Sequence, residues 1–474
     1  MDFLNNYTRI KMKKIYVISL ILLSLVNIAK SQVKSQVNEC FELTSIVFRL
    51  AEANEYVNNQ LENYTTEIDV FFSSHKNHKL ISFIKEIREK NGIAYDAIAV
   101  AAGCVDIING KVVVNSQCDV TKISEIDNRW SEQNFKTYVS LLNDFYIETR
   151  FHSFFEQHDS LYRLAEDRMN ELLADYNFDW FNSIFGEELK DPIIVVSLCN
   201  GPHNYAYSTN FNVERFGIVI GCAADSKGEP FFNRSMTIII THELLHHYIN
   251  PRISLYWNQI DSVSNIIYTP VKDKMAAAAY SNAKTTMTEW FVNLLSIMYE
   301  REKTGWDISH LIRNSQIKGF IWMERSILFM EHFIKDRKQY ATIDDYMPHI
   351  IKFIQNTAAE FDIVLNEFDN RHPYVVDIFP ISGSTIESHI DTIKIRFSEP
   401  MFGSHGIKAV GDENIFPPFF IEKPSWIDDY TFIIILDKSK HEKGKTYGFK
   451  LNYQFFQSAK TYGLKEDYKY LYTF

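Results

Sequence analysis

The stretch 236-MTIIITHELLHHYINP-251 carries three histidines and one glutamate within six residues of an otherwise apolar run. Ionisable groups are costly to bury unless they are paired or hold a ligand, so this clustering indicates a site. The run itself favours a buried helix, which Asn233 or Ser235 can cap and Asn250-Pro251 can end. We therefore predict a buried helix that carries functional histidines.

His242, Glu243 and His246 form the pattern H-E-x-x-H. On a helix the two histidines lie one turn apart on the same face, where both imidazoles can ligate one metal ion. Glu243 is rotated by about 100° from His242, so its carboxylate reaches a water molecule beside the metal and can take its proton. His247 also lies off the shared face, and we predict a supporting or structural role for it.

A catalytic zinc site needs a third protein ligand and an open fourth position. The longer pattern H-E-x-x-H-x-x-G-x-x-H is excluded, because Ile249 and Arg252 stand at its glycine and last histidine positions. The segment 285-TTMTEWFVNLL-295 offers Glu289 at the edge of the apolar face of a predicted helix. We prefer Glu289 to the other downstream candidates, which are Asp261, Asp273 and His310.

These residues resemble the zinc site of the gluzincin metallopeptidases, which combine H-E-x-x-H with a glutamate on a later helix. The resemblance implies that Zn²⁺ is bound by His242, His246 and Glu289. Glu243 would then be the general base. Gluzincins often carry an acidic residue four positions after the third ligand, oriented to a ligand histidine. This chain has Asn293 there, whose amide oxygen accepts a hydrogen bond but raises imidazole basicity less.

The chain is also similar to a family of secreted bacterial proteins catalogued as a domain of unknown function. The likeness covers residues 36–370 and is carried by the segments ELTSIVFRLA, NGIAYDAIAVAA, THELLHHYINP and TEWFVN. The substrate of that family is not established, so the likeness implies chemistry and no particular substrate.

Peptide hydrolysis also needs a group that stabilises the developing oxyanion, commonly Tyr, His or Arg. The candidates in this sequence are Tyr205, Tyr207, Tyr280 and His310, and the sequence does not rank them. The segment RFGIVIGCAA directly before the histidine run is a candidate edge strand for an extended substrate.

The fold class that the patterns predict is α+β, with more than one domain in 474 residues. Residues 32–370 read as a mainly helical, zincin-like domain with a helical part (32–175) and a catalytic part (176–370). A small sheet precedes the H-E-x-x-H helix, as the β-rich segments IIVVSLC, NYAYSTNF and RFGIVIGCAA indicate. In residues 371–474 apolar and polar side chains alternate with a period of two, which predicts an all-β sandwich. Its segment PISGSTIESHIDTIKIRFSEPM resembles bacterial immunoglobulin-like domains.

The first 31 residues read as a signal peptide, because the basic segment RIKMKK precedes a mainly apolar segment of fifteen residues and a small-x-small cleavage pattern at 29–31. An uncleaved membrane anchor is the alternative, but the apolar run is short for a spanning helix. We expect an exported, bacterial periplasmic or extracellular protein whose mature form has no transmembrane helix.

The five cysteines suggest disulfides, which export permits. Cys104 and Cys118 flank a predicted hairpin that turns at Asn109-Gly110. Cys199 and Cys222 each end a short apolar run, and we expect them to form a second pair. The odd number leaves one thiol over.

The net charge is −11 and no block rich in lysine and arginine follows the N-terminal segment, so no nucleic-acid partner is expected. We predict a secreted zinc-dependent peptidase that acts on a peptide or protein substrate. Two alternatives stay open: a zincin-fold binding or surface protein with little or no catalysis, and a zinc hydrolase of a non-peptide amide or ester. The intact Glu243 favours an enzyme, because a protein that only binds has little need of a general base.

Overall fold

A computed structural model describes residues 33–189, 192–208, 216–305, 307–387, 389–410, 415–419, 425–460 and 462–474. The predicted signal peptide at 1–31 lies outside the described residues. The chain divides into two compact units, Met1–Tyr248 and Ile249–Phe474. Helices and several small sheets alternate up to Asp369, and the region that follows is rich in strands. None of the described helices is both long and apolar enough to span a bilayer.

Helices make up most of the chain before the C-terminal strands. The described α-helices are α1 (Glu39–Leu50), α2 (Glu62–Phe71), α3 (Lys79–Asn91), α4 (Asp96–Gly103), α5 (Ile123–Ile126), α6 (Glu132–Glu148), α7 (Phe151–Gln157), α8 (Asp159–Ala174), α9 (Asp179–Phe185), α10 (Met236–Tyr268), α11 (Lys272–Ala277), α12 (Ala283–Thr304), α13 (Ser309–Lys318), α14 (Met323–Lys335), α15 (Ile343–Ala359) and α16 (Phe361–Asp369).

The strands are short and fall into separate sheets. They are β1 (Ser35–Val37), β2 (Val105–Ile108), β3 (Lys111–Val114), β4 (Ile193–Val196), β5 (Asn204–Ser208), β6 (Phe216–Ile220), β7 (Ala223–Ala224), β8 (Pro230–Phe231), β9 (Val375–Phe379), β10 (Thr392–Phe397), β11 (Ile407–Ala409), β12 (Ser425–Asp428), β13 (Thr431–Ile435), β14 (Thr446–Leu451) and β15 (Tyr468–Thr473).

The N-terminal helices form where the spacing of apolar residues predicts them. Helix α1 begins at Asn38, whose side chain accepts hydrogen bonds from the backbone N–H groups of Cys40 and Phe41. All but the first residue of α1 are buried, including the carboxylic acid Glu42. Helix α3 ends at Gly92, which adopts the left-handed conformation (φ 70°) typical of a helix stop. This part of the chain therefore packs around α1.

A four-stranded sheet of order β1-β4-β6-β5 precedes the histidine helix. Strands β1 and β6 run parallel to β4, and β5 runs antiparallel to β6. The three strands predicted from the sequence are confirmed, but the prediction that RFGIVIGCAA forms the edge is wrong. β6 is buried along its whole length, as expected for a central strand, while β5 is half-buried and forms the edge.

Two local predictions, a hairpin turn and a helix end, had different outcomes. The predicted hairpin is confirmed, because β2 and β3 pair through a turn in which Asn109 (φ 52°) and Gly110 (φ 72°) are both left-handed. The predicted helix end at Asn250-Pro251 is wrong, since α10 continues to Tyr268 with Pro251 inside it. Proline removes one N–H donor from a helix, and the remaining hydrogen bonds of α10 carry the helix past it.

The C-terminal strands form two antiparallel sheets around one core. One sheet has the order β12-β13-β10-β9 and the other has the order β11-β14-β15. Side chains from both sheets share a single apolar cluster, which includes Ile393, Phe432, Phe449 and Tyr470, all fully buried. The predicted β-rich C-terminal region is therefore confirmed.

Candidate metal centre

Helix α10 presents two different faces to its surroundings. Ile240, Leu244 and Leu245 are fully buried, and Tyr248 is 2% exposed. The Tyr248 ring stacks on that of Phe185 in α9, with centroids 4.1 Å apart and planes within 8°. This apolar face fixes the rotation of the helix about its axis. The half-buried face that remains carries His242, Glu243, His246 and His247.

The two histidines of the motif bring their ring nitrogens together. The Nε2 atoms of His242 and His246 are 3.3 Å apart, and the rings are nearly perpendicular at 81°. A tetrahedral zinc ion with bonds of about 2.05 Å to nitrogen requires about 3.3 Å between two ligand nitrogens. The pair therefore fits one shared zinc ion without any change of rotamer.

Glu289 on helix α12 is the third member of the candidate ligand group. Helix α12 begins at Asn282, which accepts from the backbone N–H of Thr285. The helix is held by the buried Trp290, whose indole N–H donates to Ser326. One ligand atom from each of His242, His246 and Glu289 lies within 4.8 Å of the others.

No other group of three such side chains occurs in the part of the chain that the structure describes. Two imidazoles and one carboxylate are a donor set that catalytic zinc commonly takes in proteins. The alternatives Asp261, Asp273 and His310 do not belong to the group.

The two residues that adjoin the histidine pair on α10, Thr241 and His247, make different kinds of contact. Thr241 is fully buried, and its hydroxyl hydrogen-bonds the Tyr176 hydroxyl at 2.6 Å. The His247 ring packs on Phe216 of β6, with centroids 4.7 Å apart. The supporting or structural role of His247 stays a prediction.

The two tyrosines of β5 occupy different surroundings. Tyr207 is 5% exposed, packs on Phe41 of α1 with ring centroids 5.1 Å apart, and covers Gly217. The Tyr205 hydroxyl is buried and has no hydrogen-bond partner among the described atoms. Burial raises the pKa of Tyr205, and the charges of nearby acids, Glu243 among them, raise it further.

The remaining predicted residues are placed as follows. Tyr280 is half-buried and its ring lies 5.9 Å from that of Phe320. His310 is exposed in the first turn of α13. The Asn293 amide donates to the backbone carbonyl of Glu289 at 2.7 Å, so it reinforces its own helix. The orientation of a ligand histidine by Asn293 stays a prediction.

All five cysteines are buried free thiols in the structure, and neither predicted disulfide is formed. Cys118 and burial raise the pKa of the Cys104 thiol. Burial raises the pKa of the Cys199 and Cys222 thiols. Pairing on oxidation stays a prediction for both sets.

Two residues beside Tyr205 belong to no sequence motif, and they were not predicted as site residues from the sequence. The rings of Tyr95 and His203 lie 6.5 Å and 6.2 Å from that of Tyr205. The available signal was the alternation of His203, Tyr205 and Tyr207 along one face of a strand.

These features define a protein of mixed helices and small sheets with an H-E-x-x-H helix directly after a sheet. The family described as "Domain of unknown function (DUF4932)" matches residues 24–353, and the chain belongs to that family. A comparison with curated proteins finds no match.

Proposed function

We propose that this protein is an exported, zinc-dependent peptidase of the gluzincin type. The observation that carries the proposal is the 3.3 Å separation of the His242 and His246 ring nitrogens on one helix face. The position of Glu289 close to both supports its role as the third ligand. When bound, zinc would polarise the scissile carbonyl and lower the pKa of water.

Glu243 is the residue that moves the proton. It is not part of the ligand group, and it is half-buried next to His242 on the same turn. Its carboxylate would take the proton of the attacking water and pass it to the leaving amine. Removing its charge while keeping its shape should therefore stop hydrolysis and leave the ligands in place.

Tyr205 is the donor we propose for the oxyanion. Its hydroxyl is buried and has no hydrogen-bond partner among the described atoms, and Tyr205 lies on the edge strand of the sheet that precedes the histidine helix. A buried hydroxyl without a partner is costly, and a substrate oxygen would satisfy it. Its raised pKa keeps the hydroxyl protonated at neutral pH, which is the state that can donate.

The finer fold assignment belongs to the same proposal. A sheet with an antiparallel edge strand followed by the H-E-x-x-H helix supports a zincin-like catalytic domain. The two antiparallel sheets after Asp369 support an immunoglobulin-like module. The basic and apolar N-terminal pattern supports export, and the acidic net charge supports a peptide partner over nucleic acid.

Hydrolysis of a mixed peptide library, read by mass spectrometry, tests the proposal. The unsubstituted protein should cleave peptides, and Glu243→Gln should reduce the rate by about 10²–10⁴-fold while zinc stays bound. Glu171→Gln, at an exposed glutamate on α8, is the matched control and should cleave normally. Equal rates for the unsubstituted protein and Glu243→Gln would contradict the assignment of the base.

A further inference from the structure

We propose that the rings of Tyr95, His203 and Tyr205 form a platform that binds an aromatic side chain of the peptide substrate. This inference rests on the proposed function, and it adds the class of residue that the site selects. The three rings are called the aromatic platform below.

The platform is a continuous set of rings at the edge of the sheet. His203 directly precedes β5 and Tyr205 lies within it, and their rings are stacked with planes 9° apart. Tyr95, at the start of α4, meets both rings edge-on, at 6.4 Å from His203 and 6.5 Å from Tyr205. Among the described strands β5 pairs with β6 alone, so the platform lies at the edge strand of the sheet.

Tyr95 is held in a backbone conformation that disfavours a bulky residue. Its φ is 56° and its ψ is −122°, a region that glycine adopts readily and other L-residues rarely occupy. Its side chain is 52% exposed, so burial of the ring does not offset this strain. Strained, exposed residues of this kind cluster at ligand-binding sites, where the surrounding structure enforces them.

Three side chains fix the loop that carries Tyr95. Arg88 donates to the carbonyl of Ile93 at 3.1 Å, and Arg129 donates to the carbonyl of Ala94 at 3.0 Å. The carboxylate of Glu55 accepts from the backbone N–H of Tyr95 at 3.4 Å. Three consecutive residues of the loop, Ile93, Ala94 and Tyr95, are therefore each held by a charged side chain, which is more than a plain connection between α3 and α4 requires.

The charges around the platform are already paired with one another. Arg88 makes a bidentate ion pair with Glu55, with contacts of 2.6 and 2.8 Å. Arg129 is paired with both Asp96 and Asp127. Neither arginine is left to bind an acidic group, and Glu55 and Asp96 are not left to bind a basic one.

The platform therefore recognises its ligand through ring faces. Burial lowers the pKa of His203, which keeps that ring neutral at pH 7. Neutral aromatic faces bind another aromatic ring by stacked or edge-to-face packing. Strand β5 pairs with β6, and Phe216 of β6 packs on His247 beside the motif, so the bound ring would lie on a strand next to the elements of the candidate centre.

Peptide binding to the Glu243→Gln protein tests the platform without any need for turnover. The probes are an alanine hexapeptide and six variants in which one phenylalanine occupies each position in turn, measured by titration calorimetry with zinc present. We expect one phenylalanine position to bind about tenfold more tightly than the all-alanine peptide. Adding Tyr95→Gly should remove that gain.

Thermal unfolding separates recognition from folding in this experiment. Glycine accepts the backbone conformation of Tyr95, so Tyr95→Gly should unfold at the same or a higher temperature. Asn109→Gly is the matched control, because Asn109 is also left-handed (φ 52°) but lies in the β2–β3 turn. It should keep the phenylalanine preference.

An unchanged phenylalanine preference in Tyr95→Gly would overturn the inference. Equal binding of a lysine peptide at the preferred position would also overturn it, since the platform would then not select an aromatic ring. If phenylalanine-dependent binding is present but the unsubstituted protein cleaves none of the peptides, the platform stands and the proposed hydrolysis is wrong. Cleavage that depends on neither phenylalanine nor Tyr95 would mean that the proposed hydrolysis stands and the platform is wrong.

Discussion

The Nε2 atoms of His242 and His246 lie 3.3 Å apart on the half-buried face of α10. Two imidazoles reach this distance either by sharing a metal ion or by a direct hydrogen bond between their rings. The nearby carboxylate of Glu289 favours the metal, because two histidines and an acid complete the protein part of a catalytic zinc site. The two interpretations make different predictions for substitutions of each ligand.

Glu289→Ala should lower the zinc affinity sharply, since removal of one of three protein ligands leaves an incomplete donor set. Competition with a chromogenic chelator measures the change, and we expect a loss of more than about 100-fold. Thr288→Ala is the matched control, because Thr288 precedes Glu289 on α12 and its hydroxyl donates to the backbone carbonyl of Lys284. Unchanged affinity in Glu289→Ala would mean that another group is the third ligand.

Gly217→Ala should destabilise the sheet before the histidine helix. A Cβ at this position would collide with the ring of Tyr207, which is packed against Phe41 and cannot swing away freely. Overpacking of this kind costs about 1–3 kcal/mol, measurable by urea unfolding. In a Tyr207→Ala background the same substitution should cost clearly less. Equal costs in both backgrounds would show that the ring is not the obstacle.

Periodicity and turn chemistry predicted most of the local structure. The Asn109-Gly110 turn follows from the residues themselves, because only a few residue types adopt left-handed backbone readily. The buried helix α1 follows from its apolar spacing. Strand β1 was not predicted, since Ser35–Val37 has no pattern of its own and is ordered by pairing with β4.

The predictions that failed concern features that depend on contacts between residues distant in sequence. Pro251 marks a helix end in most contexts, yet α10 continues beyond it. The central position of β6 depends on the return of β5 to its free side, and no local signal in RFGIVIGCAA encodes that pairing. The unbroken apolar run of residues 216–221 was a sign of a strand buried on both faces, which favours a central place.

The sequence predicted only those features of the candidate site that depend on residues close together in the chain. The shared face of His242 and His246 follows from helical periodicity alone. The choice between Tyr205 and Tyr207 could not be made, since both lie on one face of β5 and only their neighbours distinguish them. The conformation of Tyr95 was also out of reach, because nothing in its sequence indicates a positive φ.

Glu42 should make stability depend on pH. It is fully buried and accepts from Tyr64 and from the backbone N–H of Leu198. Burial raises its pKa above the ordinary value of 4.5. Its contribution to stability is therefore complete below about pH 4.5 and is lost as the pH rises through the folded pKa, with a slope of up to about 1.4 kcal/mol per pH unit.

Urea unfolding at pH values from 5 to 8 measures this slope, and Glu42→Gln should flatten it, since glutamine does not titrate. Burial and, to a smaller extent, the charge of Glu42 raise the pKa values of Tyr64, Cys199 and Cys222. These groups therefore stay protonated in the folded form of both proteins from pH 5 to 8, so the difference between the two curves reports Glu42. Glu171→Gln, at an exposed position, should keep the slope of the unsubstituted protein. Identical slopes for Glu42→Gln and the unsubstituted protein would contradict the assignment.

The zinc content of the purified protein tests the metal centre most directly. Elemental analysis after loading with zinc and removal of the excess should give one zinc ion per chain. His246→Ala should lose it, and His310→Ala, at an exposed histidine outside the ligand group, should keep it. No bound zinc in the unsubstituted protein, or the same content in His246→Ala, would mean that the two rings of α10 are only hydrogen-bonded neighbours.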